Sequence, residues 1–332
     1  VPTDTPPSSD LGASLDRYLD SLLSAELFHG AVLVARNGEI ILAKGYGSSN
    51  YDDFTPNTAH TRFRLASVTK QFTALAIMQL AAEGKLRIED SICGYIDQCP
   101  QHWQSITLRH LLQHTSGIPN YTDFLDYELT QMDPATPLQL VDRFRDQNLL
   151  FTPGEGYSYG NSGYVLLGVV IERVSGQSYR EYLRQHIFEP LGMVDTGVAY
   201  DPEPGSPIAK GYQYYATNTR PIDTSTLFSA GAMYASVQDL YLWDQALYTE
   251  KLLPKPFLDQ IFAPGRSQYG FGWKITEQRG HIRASHSGEM DGCRTALLRY
   301  PNDQITVIVL SNMLYADVDA IAAYIGQIVL NS

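Results

Sequence analysis

Residues 30–47 read GAVLVARNGEIILAKGYG, two apolar strand patterns joined at Asn37-Gly38. Asn-Gly between alternating apolar runs is the strongest short-range hairpin signal, and it commits the N-terminal part of the chain to an antiparallel sheet. An isolated hairpin is not stable in water, so further strands must come from elsewhere. They recur only near the other end, in FGWKITEQ, HIRASHSG, ALLRYP and DQITVIVLS. Between them, from about Asp90 to Lys255, helical patterns dominate, at 107–114, 137–147, 163–174, 179–187 and 237–247, separated by Pro- and Gly-rich loops such as FTPGEG and DPEPGSP. The expected fold is α/β of the α+β kind. Residues 11–89 and 256–332 form one discontinuous domain, an antiparallel sheet flanked by helices that include 11–28 and 316–329. Residues 90–255 form a mostly helical lobe, and residues 1–10 a flexible tail. A small-molecule site is expected in the cleft between the two parts.

Composition narrows the partners. The 332 residues carry a net charge of -12, which argues against a nucleic-acid backbone and an anionic membrane surface. The longest apolar runs are too short to span a bilayer. The 22 tyrosines exceed what a core needs, and some are expected to line a polar, aromatic-walled cleft. Among the three cysteines, Cys93 and Cys99 are close enough to pair in an oxidising compartment, leaving Cys293 single; buried free thiols are the alternative. The start, VPTDTPPSSD, has neither Met nor a signal pattern and is either a trimmed mature terminus or an arbitrary boundary. A periplasmic or secreted location is favoured, with the cytoplasm left open.

The chemistry centres on Ser67-Val68-Thr69-Lys70, which spells S-x-x-K at the start of a helix expected over 67–83 and stopped by Gly84. A spacing of three places both side chains on one helix face. Ser67 lies at the positive end of the macrodipole, which favours a developing alkoxide. The serine needs a base, and Lys70 can serve only when neutral. Its pKa must then fall from about 10.4 toward neutrality, at a cost of about 4 kcal/mol in desolvation and nearby positive charge. The plain alternative makes Ser67 a helix cap and Lys70 a solvated charge. A second element is Tyr159-Gly160-Asn161: a phenol able to relay protons, and an amide able to orient Lys70 or bind a substrate carbonyl. A third is His286-Ser287-Gly288 at the end of a strand pattern. There His286 offers a donor or a charge, Ser287 a hydroxyl, and Gly288 room for substrate against the strand edge.

Other patterns compete. Gly156-Tyr157-Ser158-Tyr159-Gly160 reads G-x-S-x-G, but a nucleophile elbow needs a preceding strand, and FTPGEG is a turn-rich loop. Tyr300-Pro301-Asn302 repeats Y-x-N between two strands and reads as a turn. His110 and His114 sit four apart with no third ligand in view, and packed or capping histidines explain them better than a metal. Tyr121, Tyr212, Tyr214 and Tyr215 either border the cleft or occupy ordinary half-buried loops. Asp239 and Asp244 read as a solvated helix start and face. No cofactor is expected.

Ser67/Lys70, Tyr159/Asn161 and His286/Gly288, in that order, resemble the three motifs of the serine β-lactamase and penicillin-binding protein superfamily. ITLRHLLQHTSGIP, FTPGEGYSYGNSGYVLLGVVIERVSG through EPLGMVDT, SAGAMYASVQDL, YGFGWKI and HSGEMDGCRTALLRYP are similar to its class C β-lactamase-like branch, over about residues 11–330. That branch includes D-alanyl-D-alanine carboxypeptidases and esterases. The resemblance implies the β-lactamase/transpeptidase-like fold and an acyl-enzyme at Ser67, with Lys70 and Tyr159 sharing proton transfer and Asn161 positioning substrate. It also implies an oxyanion hole from the backbone N–H groups of Ser67 and Glu289. Many relatives carry lysine in the third motif, where it meets a carboxylate. His286 shifts the expectation from strong β-lactamase activity toward peptidase or esterase, with Arg283 or Arg294 as substitute cations. The expected partner is a small molecule or peptide with an amide or ester bond, β-lactams included. The alternative is a non-catalytic receptor or scaffold of the same fold.

Overall fold

Asn37 and Gly38 both adopt positive φ, 53° and 77°, the turn geometry whose twist matches that of the flanking strands. The hairpin they close joins β1 (Gly30–Arg36) to β2 (Glu39–Tyr46). The computed structural model describes residues 4, 10–200, 207–214, 217–219 and 221–332, so nearly all of the expected tail and Tyr215 lie outside the described residues. Around the hairpin stand α1 (Asp10–Ser24), α2 (Thr69–Ala82), α3 (Ser162–Ser175) and α4 (Val237–Ala246). They are followed by β3 (Lys274–Gln278), β4 (His281–Met290), β5 (Cys293–Tyr300), β6 (Ile305–Ser311) and α5 (Val318–Leu330). One six-stranded sheet runs β3-β4-β5-β6-β1-β2, every neighbouring pair antiparallel. The last strand thus pairs with the first, Val307 opposite Val34.

Period-two alternation sorts β1 between two cores. Val32 and Val34 pack with Leu15 and Leu19 of α1 and with Ile321, Ile325 and Val329 of α5. Ala31, Leu33 and Ala35 face α2, α3 and α4. With both faces covered, β6 is buried along its whole length, which explains its unbroken apolar run. The middle of the chain is mostly helical but is also stitched by a short strand, Met233–Ala235, between Phe63–Arg64 and Gly197–Val198. Cys93 and Cys99 form a disulfide, and Cys293 is a buried free thiol. No helix among the described residues is long and apolar enough to cross a membrane. Tyr300 ends β5 and Pro301–Asp303 form a 3-10 turn before β6, so the second Y-x-N lies at a turn.

Asp239 and Asp244 correct the sequence reading: both are buried. Asp239 accepts from the Asp195 N–H at 2.6 Å and the Thr196 hydroxyl at 2.8 Å, and burial raises its pKa to about 6. Asp244 forms a buried ion pair with Arg299 of β5 at 3.0 Å, and the Thr306 hydroxyl also donates to it. The Arg299 guanidinium lies over the Tyr248 ring at 4.2 Å. The face of α4 that carries Asp244 lies against the sheet, so its charge is structural. Removing one partner of a buried pair strands the other. Asp244→Ala is expected to lose about 3–5 kcal/mol of stability, read by urea unfolding, and replacing both partners by apolar residues to restore much of it.

Candidate active site

The helix that carries Lys70 is buried on all sides: every residue from Thr69 to Leu80 is inaccessible or nearly so. A lysine in such a helix has to be explained by what it touches. Lys70 Nζ donates to Ser67 Oγ at 3.0 Å, to Asn161 Oδ1 at 2.8 Å and to the Ala230 carbonyl at 2.9 Å. Among the described residues no carboxylate joins this network, and burial lowers the Lys70 pKa to about 7. The solvated-lysine alternative is thereby excluded. Ser67 is not a cap either: it lies in a 3-10 turn, Ala66–Val68, ahead of α2, entered through Ala66 at φ 45°.

Asn161 stands at the N-terminus of α3, where an asparagine ordinarily caps the helix. It makes no such bond. Its side chain instead accepts from Lys70 and donates to the Thr122 hydroxyl at 3.1 Å, while the Asn120 side chain accepts its backbone N–H at 2.9 Å. Tyr159 is 38% exposed toward the cleft. Its hydroxyl is nonetheless desolvated enough to raise its pKa, with a hydrogen bond to Ser67 acting the other way. The Lys70 ammonium sits 5.0 Å from the Tyr159 ring centroid.

On β4, alternation buries His286 and Gly288 and exposes Ser287 and Glu289. A Cβ on Gly288 would lie 2.2 Å from the Leu65 carbonyl oxygen, 2.4 Å from Thr295 Oγ1 and 3.0 Å from Ser67 N. Only glycine lets the strand come this close to the Ser67 backbone. Ser287 and Glu289 alternate with Gly288 along β4 and line the cleft beside Ser67.

His286 is where expectation and structure differ. Its Nδ1 lies 2.7 Å from the Ser287 carbonyl, which can only accept, so Nδ1 carries the proton and Nε2 accepts from the Tyr269 hydroxyl at 2.8 Å. Both nitrogens are occupied. Burial and the nearby Lys70 lower its pKa to about 3, so it offers substrate neither charge nor a free donor. The substitute cations are also engaged. Arg294 pairs with Glu289 at 2.7 Å, and Arg283 donates to the Thr276 hydroxyl at 3.2 Å.

Tyr269 escaped sequence reasoning, and His114 was read there only as a packed or capping histidine. Tyr269 holds His286, and its sequence signal was confined to the YGFGWKI segment. His114 is buried with its ring 4.4 Å from Tyr159 and 4.6 Å from Tyr269. His110 caps its helix at Thr107, as expected, and among the described residues no cluster suits a metal ion. The stretch before Ser158 is irregular and contains no strand, so the elbow is absent. Its glycines answer to packing: a Cβ on Gly156 would meet the Phe151 ring at 2.6 Å, and one on Gly160 would meet Asn120 Cβ at 3.0 Å. Tyr121 and Tyr212 are packed inside, and Tyr214 stacks on Tyr315.

Ser67, Asn161 and Glu289 stand between two chambers. One, of about 620 Å³, is lined by Thr122, Asp123, Glu128, Gln131, Ile222 and Asp291. The other, of about 600 Å³, is lined by Tyr157, Tyr159, Ser267, Tyr269, Lys274 and His286. A family profile described as Beta-lactamase matches residues 15–330. The chain is 33% identical over 323 residues to penicillin-binding protein 4* of Bacillus subtilis, covering 90% of this chain and 71% of that one. The chain belongs to the β-lactamase and penicillin-binding protein superfamily. The superfamily fold extends over almost the whole chain. The octameric penicillin-binding protein homologue of Pyrococcus abyssi superposes with a TM-score of 0.86 at 29% identity, covering 98% of this chain and 78% of that one. A D-stereospecific amidohydrolase from a Streptomyces species does so with 0.79 at 25% identity, covering 93% and 97%. Homology therefore groups the chain with the serine hydrolases of this fold.

Gly288→Ala is expected to push β4 off the Ser67 backbone. Esterase or acylation rates should fall by roughly 10²–10³-fold, the worth of one oxyanion donor, in protein that still melts cooperatively.

Proposed function

We propose that the protein is a serine hydrolase that forms an acyl-enzyme at Ser67 and cleaves an amide or ester of small to peptide size. The observation that carries this reading is the buried Lys70 amine, bonded to Ser67, Asn161 and Ala230 with no counter-ion. When neutral, that amine keeps two donors, which suit the Asn161 and Ala230 oxygens, and turns its lone pair to the Ser67 hydroxyl. Attack of Oγ on the substrate carbonyl passes the serine proton to Lys70. Backbone N–H groups of Ser67 and Glu289 receive the developing oxyanion. On collapse, the carbon–nitrogen or carbon–oxygen bond breaks and the departing atom takes the Tyr159 proton; the phenolate regains one from the Lys70 ammonium. Water then enters, and the same groups run the sequence in reverse.

Tyr159 lines the chamber that also holds Lys274 and not the other, which supports a leaving group there and an acyl group beside Asp123 and Glu128. Lys274 forms no ion pair among the described residues and suits a leaving group that ends in a carboxylate, as in a D-Ala-D-Ala-type peptide. This favours peptidase over simple esterase. Among the described residues no carboxylate touches the Ser67–Lys70–Asn161 network, so a β-lactam is expected to acylate and to leave slowly, making β-lactamase turnover weak. The Cys93–Cys99 disulfide favours an oxidising compartment, periplasmic or secreted.

Intact-mass spectrometry after incubation with a fluorescent penicillin tests the nucleophile. The wild type and Ser158→Ala should gain one adduct, and Ser67→Ala none. Penicillin consumed without an adduct would point to a β-lactamase. Absence of adduct, ester turnover and D-peptide turnover in the wild type would support the receptor or scaffold alternative.

The pH profile tests the base. Above its pKa of about 7, Lys70 is neutral and its lone pair is available; below it, the ammonium is no base. Ester kcat/KM should therefore plateau on the alkaline side and fall about tenfold per pH unit on the acid side. A flat profile across neutrality would remove Lys70 from that role.

A further inference from the structure

We propose that His114 is a positioning residue for proton delivery, holding the Tyr159 phenol at Ser67 without itself touching substrate. The inference rests on the hydrolase reading above and adds a residue to it. His114 brackets Tyr159 from both sides. Its carbonyl accepts the Ser158 N–H at 3.0 Å, and its ring Nδ1 accepts the Gly160 N–H at 3.4 Å. Between these two bonds its ring packs against that of Tyr159 at a centroid distance of 4.4 Å. The Tyr164 and Tyr269 rings, at 5.1 and 4.6 Å, hold the imidazole in turn.

Two features set His114 apart from a packed core residue. It sits in the left-handed region at φ 57°, which Asn, Asp and His enter more readily than most residues. Because Nδ1 accepts from Gly160, the neutral ring carries its proton on Nε2, and Nε2 is buried with no hydrogen-bond partner. A buried N–H without a partner is unfavourable. An apolar ring in its place would avoid that cost but would forfeit the acceptor for Gly160. The histidine is therefore accounted for by the bond that aims the 158–160 loop. Displacing a proton donor by a fraction of an ångström slows the step that uses it. That step matters only for leaving groups that need a proton.

The experiment compares kcat/KM for aryl butyrates from p-nitrophenyl to phenyl butyrate in wild type, His114→Phe, His114→Asn and Tyr159→Phe. p-Nitrophenolate departs as an anion, whereas phenolate departs more readily when protonated. His114→Phe keeps a ring and loses the acceptor. It should lower phenyl butyrate hydrolysis about 10–100-fold while changing p-nitrophenyl butyrate hydrolysis less than about threefold. Tyr159→Phe should lower phenyl butyrate hydrolysis at least as strongly, and the double variant should lose little more than Tyr159→Phe alone. His114→Asn, with an acceptor near the Nδ1 position and tolerance of positive φ, should recover most of the loss. Should phenylalanine abolish the cooperative melt, His114→Ala, which also lacks the acceptor, takes its place. Equal losses on both esters, no loss, or an asparagine variant no better than phenylalanine would overturn the proposal. Wild-type hydrolysis matched by Ser67→Ala is a different failure, that of the hydrolase reading itself.

Discussion

A primary amine buried without a counter-ion is the constraint on which the rest of this molecule depends. Burial of an ammonium costs several kcal/mol unless the group neutralises. The protein supplies Lys70 with acceptors but no carboxylate, so the favoured outcome is a lower pKa, not a salt bridge. That is possible only because α2 is enclosed all round. The sheet and α4 cover it on one side and α3 and its loops on the other. The two-faced burial of the sheet and the unusual state of the lysine are one arrangement seen at two scales.

Part of the local strain lies around the same point. Ala66, His114 and Phe228 all adopt positive φ, at 45°, 57° and 41°, and none is glycine. Each stands beside a piece of the site. Ala66 precedes Ser67, His114 grips the Tyr159 loop, and Phe228 opens the turn whose Ala230 carbonyl accepts from Lys70. Such conformations cost of order 1–3 kcal/mol each and persist where the surroundings over-determine them. Here the surroundings are two large cores, which can hold a few strained residues against relaxation.

What the sequence disclosed follows from the range of each interaction. Ser67 and Lys70 were legible because helical spacing alone brings them together. Asn37-Gly38 was legible because turn chemistry is local. Tyr159, Asn161 and Gly288 emerged only as ordered motifs, since their meeting with Ser67 is tertiary. Tyr269 escaped, and His114 was read only as a packed or capping residue, because aromatic packing leaves no periodic mark. Asp244 was misread for a related reason. Val237, Leu240, Trp243 and Asp244 are all buried, so α4 lacks the contrast that marks an exposed face, and Arg299 lies far along the chain. His286 lines the chamber beside Ser67, but both of its nitrogens are engaged within the protein. Nothing in its neighbours reveals that a tyrosine 17 positions earlier would occupy its second nitrogen.

The histidines complete the electrostatic argument. Lys70, His114 and His286 lie near enough that the charge on Lys70 helps hold the pKa of both histidines down. Each is buried, so a second positive charge would add repulsion to desolvation. The cluster therefore accommodates one proton, and it falls to Lys70, whose pKa of about 7 exceeds the value of about 3 at His286. His114, pushed well below its ordinary value, stays neutral as well. The bases are thus ranked by their surroundings: the one that touches Ser67 titrates near neutrality, and the two that shape the pocket do not compete with it. A lysine in the place of His286 would add a second amine to this enclosure and disturb the ranking. The third-motif histidine is then consistent with the burial of Lys70.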